Sequence, residues 1–168
     1  FASVPLSFYS VRVARSFVPN PFRGTNLFQE ACWAWRRVPV PVVAAVHGHC
    51  YGGGLQIALA ADLRMTTADA QWSVMEAKWG LVPDMSGVQA LSQQVRMDVA
   101  KRLTMTGEVV SGSRAVELGL ASEVHDEPFV AATRFLEQVT QRSPEAVAAT
   151  KRLFGRTEQD VNGHTTTL

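Results

Sequence analysis

The chain has 168 residues, 46% hydrophobic and 18% charged, which suffices for one globular core, and its formal net charge of +1 gives no reason to expect a polyanionic partner. The 16 Lys and Arg are scattered among 15 Asp and Glu, so pairs such as Arg36-Arg37 and Lys101-Arg102 read as solvated helix faces and not as a nucleic-acid patch. Cys32 and Cys50 make no disulfide framework, no run is apolar enough to span a membrane, and no signal-peptide pattern opens the sequence; reduced thiols and a cytoplasmic setting are expected.

Residues 1–25 carry Pro5, Pro19, Pro21 and Gly24 and read as a loop-rich segment near a ligand entrance. Phe28 to Arg37 is a predicted helix, with Phe28, Cys32 and Trp35 on one face and Pro39 as its stop. Val40 to Val46 follows as a strand, three glycines turn the chain, and Leu55 to Ala61, apolar nearly all round, predicts a buried helix. Leu63 to Thr66 and Gln71 to Val74 fit short strands, and Gly80, Pro83 and Gly87 punctuate a loop. Ser86 or Ser92 would start one helix carrying Val95, Val99 and Leu103 and ending at Gly107. Ser111 or Ser113 would cap a short helix ending at Gly119, before a strand from Leu120 to Val124. Two further helices are expected, from about 128 to 142 and from Pro144 to Phe154, the second with Pro at its first turn and Gly155 past its end. Residues 162–168 read as a polar tail, and the alternation of strands and helices gives an α/β class.

The chemistry concentrates in PVVAAVHGHCYGGGLQIALAAD, residues 41–62. Three glycines without Cβ atoms let the backbone approach a ligand, and the first amides of the following helix lack internal partners at its positive end. Such a corner can hold an oxygen that gains negative charge during reaction, although a glycine triplet is also an ordinary tight turn. Glu76 lies between apolar Val74, Met75, Ala77 and Trp79, a desolvated setting that suits general acid or base work. HGHC offers His47, His49 and Cys50 as metal ligands, but alternate strand positions face opposite ways and no matching cluster occurs elsewhere, so no metal is expected. Walker A, GxGxxG and GxSxG patterns are lacking, and the four Trp residues fit a core or an acyl pocket better than a base-stacking surface.

Three segments, PVVAAVHGHCYGGGLQIALAADLR, DAQWSVMEAKWGLVPDMSG and AKRLTMTGEVVSGSRAVELGLASEV, stand in one order at compatible spacings. Together they resemble the enoyl-CoA hydratase/isomerase, or crotonase, family over roughly Val38 to Val124. The resemblance implies a crotonase-like ββα-type core in residues 1–125 and a C-terminal helical region with its tail in 126–168, each incomplete at its outer end. It implies an acyl-CoA substrate, coenzyme A as part of that substrate with no separate cofactor, and a homotrimer or hexamer. It also implies Glu76 as a catalytic acid or base and Gly53 as one oxyanion-hole amide, the other coming from a segment upstream of the matched region. Tyr51, Gly52, Gly54 and Trp79 would bind substrate. Gln56 occupies the place of a hydratase's second glutamate, and an amide cannot accept and return a proton as a carboxylate does. Asp84, eight residues after Glu76, matches the spacing of the second acid in dienoyl-CoA isomerase relatives, but also suits a loop or cap. Hydratase or isomerase chemistry through an enolate is therefore expected, impaired in this chain. A non-catalytic assembly subunit or pseudoenzyme is the alternative, and a Clp-like protease would need a placed Ser and His that the sequence does not show.

Overall fold

The computed structural model describes residues 18–21 and 24–160, so the loop-rich opening up to residue 17 and the polar tail lie outside the described residues. Helix α1 (Leu27–Arg37) opens on a reciprocal cap: Asn26 accepts from the Gln29 N–H at 2.9 Å, and the Gln29 side chain accepts from the Asn26 N–H at 3.0 Å. It ends ahead of Pro39, as its sequence predicts.

Strand β1 (Val43–Val46) is shorter than the expected Val40 to Val46. Pro41 has no N–H for a ladder and Val40 is 57% exposed, so the apolar run outlasts the pairing. Gly48, at φ +65°, redirects the chain into β2 (His49–Tyr51), a strand that the sequence does not announce because it has only three residues and one buried side chain. Helix α2 (Gly53–Ala58) follows, and then β3 (Leu63–Thr66) and β4 (Gln71–Ser73) repeat the passage of β1 and β2. With β5 (Val110–Ser111) and β6 (Glu123–Val124) two three-stranded sheets result. One is parallel in the order β1-β3-β6, with Val43 opposite Leu63. The other runs β2-β4-β5, with β2 and β4 parallel, β5 antiparallel, and His49 opposite Gln71. Each turn of chain thus lays one strand in each sheet.

Between the sheets and the helices lies the core of Leu55, Leu59, Trp72, Val74, Leu91 and Leu103, each at most 1% exposed. The segment expected to be wholly buried is so except for Ile57, which is 40% exposed. Two polar side chains inside are matched: Trp72 Nε1 donates to Thr66 Oγ1 at 3.1 Å, and buried Arg64 donates to the carbonyls of Leu120 and Ala61 at 2.7 and 2.9 Å.

Several boundaries differ from the sequence reading. The single helix expected up to Gly107 is two, α3 (Gly87–Gln94) and α4 (Met97–Thr106), because Val95 takes extended backbone between them and turns into the core. Ser86 holds the position before α3 at φ +72° without a side-chain cap bond, and Ser92 lies inside the helix. Ser111, rather than Ser113, caps α5 (Gly112–Leu118) by accepting from the Arg114 N–H at 3.2 Å, and Gly119 ends it at φ +85°. Of the strand expected from Leu120, only β6 pairs; Leu120 and Ala121 are buried in the turn before it, held by bonds to the Ala115 carbonyl.

Helix α6 (Pro128–Thr140) packs across β1 and β3. Helix α7 (Pro144–Asp160) starts at Pro144 as expected but continues through Gly155, which therefore does not mark its end. From α7, Lys151 Nζ donates to the carbonyls of Trp35 and Val40 at 3.0 and 2.9 Å and to Asp62 Oδ2 at 2.8 Å. The same Asp62 oxygen accepts from the Val42 N–H at 2.7 Å. One ammonium closes the corner where α1 hands over to β1. No helix among the described residues is long and apolar enough to cross a membrane.

Candidate active site

Strand β2 delivers the chain to Gly52, whose φ of +51° and ψ of −123° suit a residue without a Cβ. Its N–H donates to the Ser73 carbonyl at 3.0 Å, tying the corner to β4, and its carbonyl accepts the Gln56 N–H at 3.0 Å to start α2. A Cβ on Gly52 would stand 3.5 Å from Glu76 Oε1. The glycine corner and Glu76 are therefore direct neighbours, although 24 positions apart in sequence.

Glu76 begins a 3-10 turn (Glu76–Trp79) just beyond β4, and only 9% of it is exposed. Its Oε1 accepts from Gln56 Nε2 at 2.6 Å, while its Oε2 is buried without a hydrogen-bond partner among the described residues. Gln56, 2% exposed on α2, accepts in turn from the Gly87 N–H at 2.9 Å. Such a carboxyl has one oxygen held and one available for proton transfer.

Beside Glu76 opens a cavity of about 550 Å³. Gly52, Gly53, Gln56 and Glu76 form its polar wall; Phe28, Met75, Leu81, Val82 and Met85 supply an apolar one. Tyr51 also lines it, its hydroxyl donating to Gln71 Oε1, and Trp79, 76% exposed, stands at the mouth. Asp84 reaches the same cavity from an exposed position. Gly54 is exposed and takes no part in the described lining. Gly53 does, facing Met85, whose Sδ lies 3.4 Å from where a Gly53 Cβ would be. Met75 is legible in the sequence as a neighbour of Glu76, but Leu81, Val82 and Met85 are not, since such residues read as core; Gly87, which reads as loop punctuation, instead opens α3 against Gln56.

Neither cysteine belongs to this cavity. Both are free and buried; burial raises the Cys32 thiol, with Ser86 and Arg36 opposing, and pushes Cys50 up to about 12. His49 is exposed while Cys50 faces inward, and among the described residues no three His, Cys, Asp or Glu side chains gather as metal ligands. A second concavity of about 390 Å³ lies between α4 and α5. Its arginines are each matched by an acid, Arg96 by Asp98, Arg102 by Glu108 and Arg114 by Glu117, so it offers no surplus charge to a ligand.

The sequence profile of the enoyl-CoA hydratase/isomerase family matches residues 25–167. The chain belongs to the enoyl-CoA hydratase/isomerase family. Its fold is accordingly crotonase-like α/β. Over 114 residues it is 36% identical to an (E)-benzylidenesuccinyl-CoA hydratase of Thauera aromatica, covering 67% of this chain and 44% of the relative. Over 146 residues it is 34% identical to a carnitinyl-CoA dehydratase of Salmonella typhi, covering 85% and 53%. A crystal structure of an enoyl-CoA hydratase from Mycobacterium tuberculosis H37Rv superimposes with a TM-score of 0.68 at 35% identity, over 73% of this chain and 48% of the other. The chain spans about half the length of these family members.

Proposed function

We propose that the cavity receives the acyl part of a coenzyme A thioester and that Glu76 moves a proton beside the thioester carbonyl, shifting an enoyl double bond in preference to hydrating it. The observation that carries this reading is Glu76, whose Oε2 is buried and unpartnered, lining a cavity that has a polar and an apolar wall. Next to it the Gly53 N–H, at the start of α2, would share the carbonyl oxygen as enolate charge builds. Gln56 stands where a second carboxylate would be needed to activate water, and an amide supplies no such base. Asp84, exposed in the same cavity, would deliver a proton of its own at the other end of the conjugated chain, after which Glu76 loses the proton it took and Asp84 regains one by exchange with water. Coenzyme A enters as part of the substrate, without a further cofactor or metal. A homotrimer or hexamer acting in the cytoplasm belongs to the same reading.

The test is titration of the purified chain with crotonyl-CoA and longer enoyl-CoAs, followed for binding and for product by chromatography. Glu76→Gln is expected to lower turnover by about 10²–10⁴-fold while coenzyme A binding persists. Full activity in Glu76→Gln would remove its role, and hydroxyacyl-CoA as the main product would replace isomerisation by hydration. Binding without turnover would favour the non-catalytic subunit.

A further inference from the structure

The carboxamide of Gln56 is committed at both ends. Nε2 donates to Glu76 Oε1 at 2.6 Å, and Oε1 accepts from the Gly87 N–H at 2.9 Å. These partners fix which way the amide points: a backbone N–H can only donate and an ionised carboxylate can only accept, so a flipped amide would lose both bonds. Gln56 is 2% exposed, which leaves water little access to compete for either end. Gly87 completes the arrangement. A Cβ there would stand 2.6 Å from Gln56 Oε1 and 2.8 Å from its Cδ, so any larger residue displaces the carboxamide.

We propose that Gln56 is the positioning residue of Glu76, and that the hydrogen-bond chain from Gly87 through Gln56 holds Oε1 so that Oε2 alone is free to carry the proton. Gln56 therefore acts on Glu76, and not on a water or a substrate carbonyl. This rests on the reading of Glu76 as the proton-moving group. A charge-assisted bond to a buried carboxylate fixes its plane and its available lone pairs, and an untethered carboxyl would spend part of its time with the wrong oxygen, or neither, toward the substrate.

Three variants of the full chain test this: Gln56→Leu, which deletes both bonds at similar volume; Gly87→Ala, which keeps Gln56 but pushes its carboxamide aside; and the two combined. Steady-state kinetics with an enoyl-CoA give kcat and KM separately. Infrared difference spectra of the substrate-free protein, with Glu76→Gln as the blank, give the carboxylate stretch of Glu76 whatever the reaction. Each single substitution should lower kcat by about 10- to 100-fold, the weight of one hydrogen bond to a charged group, leave KM unchanged and move the carboxylate band. The double variant should be no worse than the more damaging single one, because both break the same chain. An unmoved band in both single variants overturns the proposal, as does a moved band with kcat intact or a loss confined to KM. A moved band in a protein that turns over no enoyl-CoA supports the hydrogen-bond chain and overturns the proposed function instead. Should Gln56→Leu fail to fold, Gly87→Ala, whose backbone is helical and whose new methyl has the Gln56 side chain as its three nearest neighbours, carries the same outcomes alone.

Discussion

Cys50 sits on β2 at the edge of the glycine corner, 6% exposed, with burial holding its thiol up to about 12 against an ordinary value of 9.0. The folded protein therefore keeps a proton there that the unfolded chain releases. Stability from this group is complete below pH 9 and drains away as pH rises toward 12, so denaturant midpoints should fall over that window and fall less in Cys50→Ala. At neutral pH a thiol reagent should label Cys50 only as fast as the protein opens; rapid labelling of the native chain would refute the burial. At this scale the sequence was most informative where chemistry is local. The glycine run and the Glu in an apolar setting stand out by composition, and the fold brings both to one cavity. Gly87 was not legible as a site residue, because its partner Gln56 lies 31 positions away and only the packing of α3 on α2 brings them together.

Helix α5 begins where there is no room for a side chain. A Cβ on Gly112 would lie 1.9 Å from the Thr67 carbonyl oxygen and 3.0 Å from Thr66 Oγ1, and the first of these is backbone that cannot swing aside. Gly112→Ala should therefore lower stability by at least about 1–3 kcal/mol in urea unfolding, although Ala favours a helix elsewhere. A midpoint equal to wild type would mean that β3, β5 and α5 are looser than the structure shows. The elements themselves were legible in kind and less so in extent. Strands came out shorter than their apolar runs because Leu120 is buried by a turn rather than by a ladder, and Val40 by neither. One expected helix became two because Val95 satisfies its N–H on Leu91 while its own backbone is already extended.

For the molecule as a whole, alternating strands and helices point to the α/β class, but they cannot say that successive strands feed two different sheets. That depends on Gly48 turning the chain out of the first sheet, and a lone glycine between His47 and His49 looks like many others. The surface of α6 and α7 carries Phe129, Leu153 and Phe154, 75%, 63% and 70% exposed. Apolar side chains of this size in water favour self-association. Light scattering over rising concentration should return a mass that is a multiple of the chain's own; a monodisperse monomer at high concentration would remove the expected assembly.

The Lys151 clasp imposes an order on how this molecule is made. Its ammonium leaves the ribosome 116 residues after Trp35 and 111 after Val40, so the corner between α1 and β1 has been waiting, unlatched, through the synthesis of nearly everything that forms the site. Proteases can meet that corner before the latch exists. A nascent chain arrested ahead of Lys151 should be nicked by trypsin at Arg36 and Arg37, while the chain that includes Lys151 resists, and equal cleavage of both would mean that the latch guards nothing. Helix α7 thus secures an end of α1 that was translated more than a hundred residues before it.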